Sequence, residues 1–354
     1  MRVAVYYNNN DVRLEERPVP KIGDGELLVK VIASGICGSD VMEWYRIKKA
    51  PLVLGHELSG EIVEVGQGVS KYKKGDRVFV THHVPCNTCH YCLIGHHSAC
   101  DTLRTTNFEP GGFAEYIRVP KINVDRGTFV LPDEISYEEG TFIEPLACCF
   151  RGLRLSNIKA GQKVLVIGSG ISGLLHIQLA KVLGAGKIIA TDISEYRLNA
   201  AKKFGADEVI NAKDNENNPP SPPFGKGGKG GLSGKINKGF LADLVIICTA
   251  AEAAIQQGLQ SVDRGGTILF FAPTNPDVKV PIPLWDIWRN EVTLTTSYAA
   301  SGLDITATME LMANKRVNLE DMITHRLGLA ETGKGFKLVA EAKESIKVIV
   351  EPQR

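Results

Sequence analysis

Four cysteines fall within fifteen residues, spaced Cys86-x2-Cys89-x2-Cys92-x7-Cys100. Thiols three apart in a tight loop pair poorly as disulfides but converge well on one tetrahedral ion, and four thiolates leave that ion no open position. The expected occupant is a structural zinc; an iron–sulfur cluster and unliganded thiols are the alternatives. A second set is dispersed: Cys37 in Gly35-Ile36-Cys37-Gly38-Ser39-Asp40, then Gly55-His56-Glu57, then Phe142-Ile143-Glu144-Pro145-Leu146. One thiolate, one imidazole and one or two carboxylates suit a catalytic zinc that keeps a position for water or a substrate oxygen. Taken singly, each of these residues reads equally well as a packed side chain.

The third signal is Gly168-Ser169-Gly170-Ile171-Ser172-Gly173. Glycine-rich turns are common, but this one follows an apolar run, opens a helical one, and has Asp192 at the end of the next apolar run. That is the dinucleotide-binding arrangement, in which the glycines allow a tight turn and close approach to a pyrophosphate. Asp192 can accept from both ribose hydroxyls and would repel a 2′-phosphate, which favours NAD over NADP. The candidate cofactor-binding set is Gly168, Gly170, Ile171, Ser172, Gly173, Asp192 and Arg197; a structural glycine turn is the alternative.

These residues sit in two textures. Up to about residue 150 the chain has short β-like runs broken by glycine and proline, such as 27–33, 60–65 and 76–80, as expected for an irregular, mostly antiparallel β domain. From about 152, strands at 163–167, 187–191, 208–210, 243–248 and 267–271 alternate with helices at 173–183 and 195–204, which predicts βαβ units and a doubly wound parallel sheet. A helix over 304–315 and a strand over 346–350 follow. Residues 215–239 are low-complexity proline, glycine and lysine, read as a solvent-exposed, disordered insertion. With 41 basic and 40 acidic residues the net charge is +1, which argues against nucleic acid or an anionic membrane as the partner. No apolar run reaches the roughly 18 residues of a membrane span, and the first residues do not read as a signal peptide. A cytoplasmic protein with reduced cysteines is expected.

Gly55-His56-Glu57, with Gly60, Gly66 and Val69 at fitting offsets, resembles the zinc alcohol dehydrogenase motif of the medium-chain dehydrogenase/reductase superfamily. The cysteine lobe and the nucleotide fingerprint occur in the same order as in that family, and the resemblance spans nearly the whole chain apart from the insertion. It implies an α/β protein with a GroES-like, mostly-β catalytic domain over 1–150 that carries the zinc lobe at 86–100. A Rossmann NAD-binding domain over 151–291 and a return to the catalytic domain over 292–354 complete it. Glu57 and Ile143-Glu144-Pro145-Leu146 look like the sorbitol (polyol) and threonine dehydrogenase branch. The resemblance therefore implies Cys37, His56 and Glu57 as zinc ligands, and Glu144 as a further ligand or a carboxylate on the zinc's water. It implies Ser39 as the first acceptor of the substrate's proton.

The implied reaction is oxidation of a secondary alcohol, a polyol or sugar alcohol, to a ketone with NAD. An amino alcohol such as threonine is the alternative substrate, and a non-catalytic zinc- and nucleotide-binding protein the alternative class. Two departures stand out. Met42 occupies the place where this branch commonly has a histidine, so the relay beyond Ser39 must run through cofactor ribose, water or another group. The stretch 295–301 lacks the arginine with which sorbitol dehydrogenases contact the polyol. His82 and His83 read as loop residues, with substrate contact as the alternative. A homodimer or homotetramer is expected from the resemblance, with Trp285 and Trp288 packing at the domain junction or between subunits.

Overall fold

The computed structural model describes residues 1–215 and 241–354. The expected insertion lies, from residue 216 on, outside the described residues. The chain divides into two compact units, one of Met1–Ala147 with Ala299–Arg354 and the other of Cys148–Tyr298.

The first unit is built on a seven-stranded sheet in the order Ile323–Gly328, Lys347–Glu351, Leu27–Gly35, Glu57–Val65, Arg77–Val80, Thr128–Val130, with Tyr116–Val119 also paired to Leu27–Gly35. Its neighbours are antiparallel except for the pair Ile323–Gly328 and Lys347–Glu351. Leu27, Val29, Val31, Leu58, Ile62, Val78, Val80 and Ile117 have no exposed surface and form one core cluster, as alternation over a covered sheet face requires.

Register matters most for function. Gly35 lies opposite Glu57, Leu58 opposite Val80, and Ile349 opposite Gly35. The end of Leu27–Gly35, the starts of Glu57–Val65 and Lys347–Glu351, and the end of Arg77–Val80 therefore meet at one edge of the sheet. The strand that the sequence suggests from residue 60 begins three residues earlier, because this pairing continues down to Glu57.

The second unit is a six-stranded, all-parallel sheet in the order Glu208–Asn211, Lys187–Asp192, Lys163–Ile167, Ala242–Ile247, Val262–Phe270, Thr293–Thr296. In order of appearance this is 3-2-1-4-5-6, the doubly wound arrangement. Strand Lys163–Ile167 is buried at four of its five residues, as expected of a parallel strand covered on both faces. The sequence places the end of this unit at 291, yet Thr293–Thr296 still adds an edge strand parallel to Val262–Phe270. The unit ends only at Tyr298. Among the described residues, no helix is long and apolar enough to cross a membrane.

Candidate active site, metal centres and nucleotide loop

Cys37 lies two residues beyond the strand Leu27–Gly35, and His56 and Glu57 lead into the strand paired with it. Ligand atoms of Cys37, His56 and Glu57 all lie within 4.8 Å of one another. Gly55 makes this entry possible. Its φ is +92°, and a Cβ there would come within 2.9 Å of the Phe113 nitrogen, so a side chain would be strained on both counts.

One buried carboxylate organises the group. Asp40, with no exposed surface, accepts the backbone N–H of Cys37 at 3.1 Å through Oδ2. Its Oδ1 lies 3.3 Å from His56 Nδ1 and 3.6 Å from Arg46 Nη2. Burial pushes the Asp40 carboxyl up, but His56, Arg46 and the Cys37 N–H outweigh it and hold its pKa below the usual value. Burial likewise pushes His56 down, and Asp40 and Cys37 outweigh that to hold it well above the imidazole value. With Nδ1 turned to Asp40, Nε2 is left for a metal, the arrangement by which carboxylates orient ligating histidines. Burial, followed by the Glu57 charge, pushes the Cys37 thiol up. Such a thiol gives up its proton when a cation binds.

Glu57 has a second partner that the sequence did not suggest. Its carboxylate pairs with the ammonium of Lys347, at the start of the strand Lys347–Glu351. Both side chains are buried, at 1% and 0% exposure, and the ammonium lies 5.1 Å from the centre of the Phe142 ring. Neither charge is tolerable there alone; breaking a buried pair costs about 3–5 kcal/mol.

Ser39 Oγ donates to Cys37 Sγ at 3.4 Å. Arg46 donates to the same Oγ from Nη2 at 3.0 Å, and to the Ser39 carbonyl from Nε at 2.9 Å. His82, expected as a loop residue, has its ring 4.8 Å from that of His56 and 3.7 Å from that of His83. Burial, aided by the His56 and Arg46 charges, keeps both His82 and His83 far below the usual imidazole pKa, His83 at about 4. Both rings are neutral at pH 7. Glu144 lies in the first turn of the helix Ile143–Leu155, outside the group formed by Cys37, His56 and Glu57.

The sulfurs of Cys86, Cys89, Cys92 and Cys100 also lie within 4.8 Å of one another. The Thr88 side chain and the N–H groups of Thr88 and Cys89 pull the Cys86 thiol down to about 5, while burial and Cys89 push Cys92 up to about 12. Four sulfurs this close would repel one another as thiolates, and a bound cation relieves that repulsion. The donor set fits a tetrahedral zinc with no open position.

In the second unit, Asp192 binds the glycine loop itself. Its Oδ2 accepts the Ser169 N–H at 2.7 Å and its Oδ1 the Ser194 N–H at 2.9 Å. Gly173 must be glycine, since a Cβ would lie 2.0 Å from the Gly168 oxygen. Gly170 caps the helix Ile171–Val182 without a side-chain acceptor. The Arg197 guanidinium is the nearest neighbour of a Cβ built on Gly170, at 3.7 Å, and its buried Nε has no partner among the described residues. An uncapped helix start beside such a guanidinium fits a pyrophosphate.

Residues 23–127 match the alcohol dehydrogenase GroES-like domain, and residues 172–314 match the zinc-binding dehydrogenase domain. The sorbitol dehydrogenase of Gallus gallus is 31% identical, over 98% of this chain and 95% of its own. The probable D-xylulose reductase A of Neosartorya fischeri is 33% identical, over 96% of this chain and 94% of its own. The chain belongs to the zinc-dependent medium-chain dehydrogenase family. Among solved structures, the alcohol dehydrogenase of Thermus sp. ATN1 matches this dehydrogenase with a TM-score of 0.83 at 30% identity, covering 99% of each chain.

In this dehydrogenase the residues that sequence reasoning passed over are Asp40, Arg46 and Lys347. Asp40 had a weak local signal, three residues after Cys37 in the quoted stretch. Lys347 had none, because it lies 290 residues from Glu57. The contacts of Asp40 predict that Asp40→Asn lowers zinc affinity at the Cys37–His56–Glu57 site by about 10–100-fold. Competition with a chelator measures this, and the four-cysteine site, which Asp40 does not touch, serves as the internal control.

Proposed function

We propose that this dehydrogenase oxidises polyols to ketones with NAD, using Cys37, His56 and Glu57 to hold a catalytic zinc and Ser39 to take the substrate's proton. The observation that carries the reading is the cluster of thiol, imidazole and carboxylate within 4.8 Å, with the Ser39 hydroxyl on its sulfur. Zinc would supply Lewis-acid activation of an alcohol hydroxyl there, and NAD would supply the hydride acceptor. The chain's own residues do the rest. Asp40 orients His56, Lys347 holds one oxygen of Glu57, and Ser39 Oγ offers a lone pair to the hydroxyl proton. His82 sets its ring 4.8 Å from that of His56, and Glu144, outside the cluster of three, would act as a further ligand or as a carboxylate on the zinc's water.

The polyol class is supported by the relatives named sorbitol dehydrogenase and D-xylulose reductase. NAD over NADP is supported by Asp192, whose carboxylate sits at the end of its strand on the glycine loop and would repel a 2′-phosphate. Gly168, Gly170, Ile171, Ser172 and Gly173 would cradle the pyrophosphate, with Arg197 as its counter-charge. Cys86, Cys89, Cys92 and Cys100 would hold the structural zinc. No disulfide joins any of the eight cysteines, which suits a reducing, cytoplasmic compartment.

A homodimer belongs to the same reading. Among the described residues, Thr293–Thr296 ends the parallel sheet with one side unpaired. Just before it in sequence, the helix Leu284–Arg289 exposes Leu284, Trp285 and Trp288 at 71%, 66% and 67%. An unpaired edge and an apolar patch are features that a second copy covers.

Two measurements test these readings. NADH formation across polyols, amino alcohols and simple secondary alcohols, with zinc-depleted and zinc-restored protein, should show zinc-dependent turnover of polyols. Turnover of threonine alone would replace the substrate class, and turnover without zinc would overturn the mechanism. Light scattering should give a dimer for the unaltered protein and a monomer for Trp285→Ser/Trp288→Ser; a monomeric unaltered protein would overturn the dimer.

A further inference from the structure

We propose that Arg46 is a positioning residue that fixes the Ser39 hydroxyl for proton transfer, at a site where Met42 offers no proton acceptor. The proposal rests on the reading of Ser39 as proton acceptor and deepens it.

The described hydrogen-bond partners of Ser39 Oγ are two. It donates its proton to Cys37 Sγ at 3.4 Å and accepts from Arg46 Nη2 at 3.0 Å. A hydroxyl has one proton and two lone pairs. With the proton on the sulfur side and one lone pair taken by the guanidinium, a single lone pair remains for a substrate hydroxyl. Without Arg46, the hydroxyl is free to turn about its Cα–Cβ bond, and that direction is lost.

Arg46 is itself held on every side. Its Nε donates to the Ser39 carbonyl at 2.9 Å, so the arginine grips backbone and side chain of one residue together. Its Nη2 lies 3.6 Å from the buried Asp40 carboxylate, which also lies against His56. Its guanidinium carbon stands 4.7 Å from the centre of the Tyr45 ring, and only 15% of its side chain is exposed. A solvated surface arginine would show none of this. Because guanidinium stays protonated at any working pH, Arg46 does not receive the proton. The substrate's proton bonds to the remaining lone pair of Ser39 Oγ; as that O–H bond forms, the serine's own O–H bond breaks, and its proton leaves the hydrogen bond with Cys37 Sγ for a solvent water, which becomes hydronium.

The test is a double-mutant cycle with Arg46→Met, Ser39→Ala and both together. If Arg46 acts through Ser39, Arg46→Met lowers kcat about 10²-fold with KM little changed, and adding it to Ser39→Ala costs nothing more. Free guanidinium should restore Arg46→Ala and leave Ser39→Ala unrestored, and Arg46→Lys, which keeps one donor, should fall between. Zinc content measured at saturating zinc should stay at the unaltered value, whereas the melting temperature should fall, because the buried Asp40 carboxylate loses one of its partners. A crystal structure of Arg46→Met should show Ser39 Oγ turned from its position on Cys37 Sγ. Multiplicative losses, normal kcat in Arg46→Met, or loss of zinc with the arginine would overturn the proposal. Full turnover by Ser39→Ala would overturn the proton role of Ser39 itself, which separates that failure from this one.

Discussion

The cluster of Cys37, His56 and Glu57 depends on one buried charge. Asp40 has no contact with solvent, and an isolated carboxylate there would cost several kcal/mol. It is held as an anion because three segments bring it partners: the Cys37 N–H, the His56 ring and the Arg46 guanidinium. The converse also holds. Those three groups are fixed relative to one another because each answers to the same carboxylate. Glu57 and Lys347 repeat the logic on the other side of the site, one buried charge locked by another. Cys37, His56 and Glu57 would hold a metal ion here, and its charge would favour the thiolate of Cys37 and the carboxylate of Glu57.

The two remaining centres are simpler because they are local. The cysteine lobe assembles within fifteen residues, and its ionisation is set by its own backbone N–H groups and by crowding of its sulfurs. The glycine loop is shaped by one carbonyl that leaves no room for a side chain at Gly173 and by Asp192, 23 residues on, which binds the Ser169 N–H. Asp192 thus stabilises the glycine loop through the Ser169 and Ser194 N–H groups.

That difference explains what the amino-acid sequence disclosed. Cysteine spacing, glycine spacing and the alternation of strands with helices are short-range patterns, and they point directly to the zinc lobe and the doubly wound sheet. The ends of the strands were harder to read. The pairing of Gly35 with Glu57 extends a strand through the motif that the sequence treats as separate. The Thr293–Thr296 strand is mostly exposed and polar, so nothing in its composition marks it as part of the parallel sheet. Long-range pairs left no trace at all. Lys347 is fixed to Glu57 by sheet register across 290 residues, and Arg46 reaches Ser39 only because a single helical turn folds it back over the loop.

Zinc counts on purified variants test the account most directly. Unaltered protein should carry two zinc ions per chain, and Cys37→Ser and Cys92→Ser one each. Cys37→Ser should lose alcohol oxidation while keeping the melting temperature of the unaltered protein, whereas Cys92→Ser should melt earlier. Two retained zinc ions in Cys37→Ser, or undiminished oxidation with only the four-cysteine site filled, would contradict a catalytic zinc held by Cys37, His56 and Glu57.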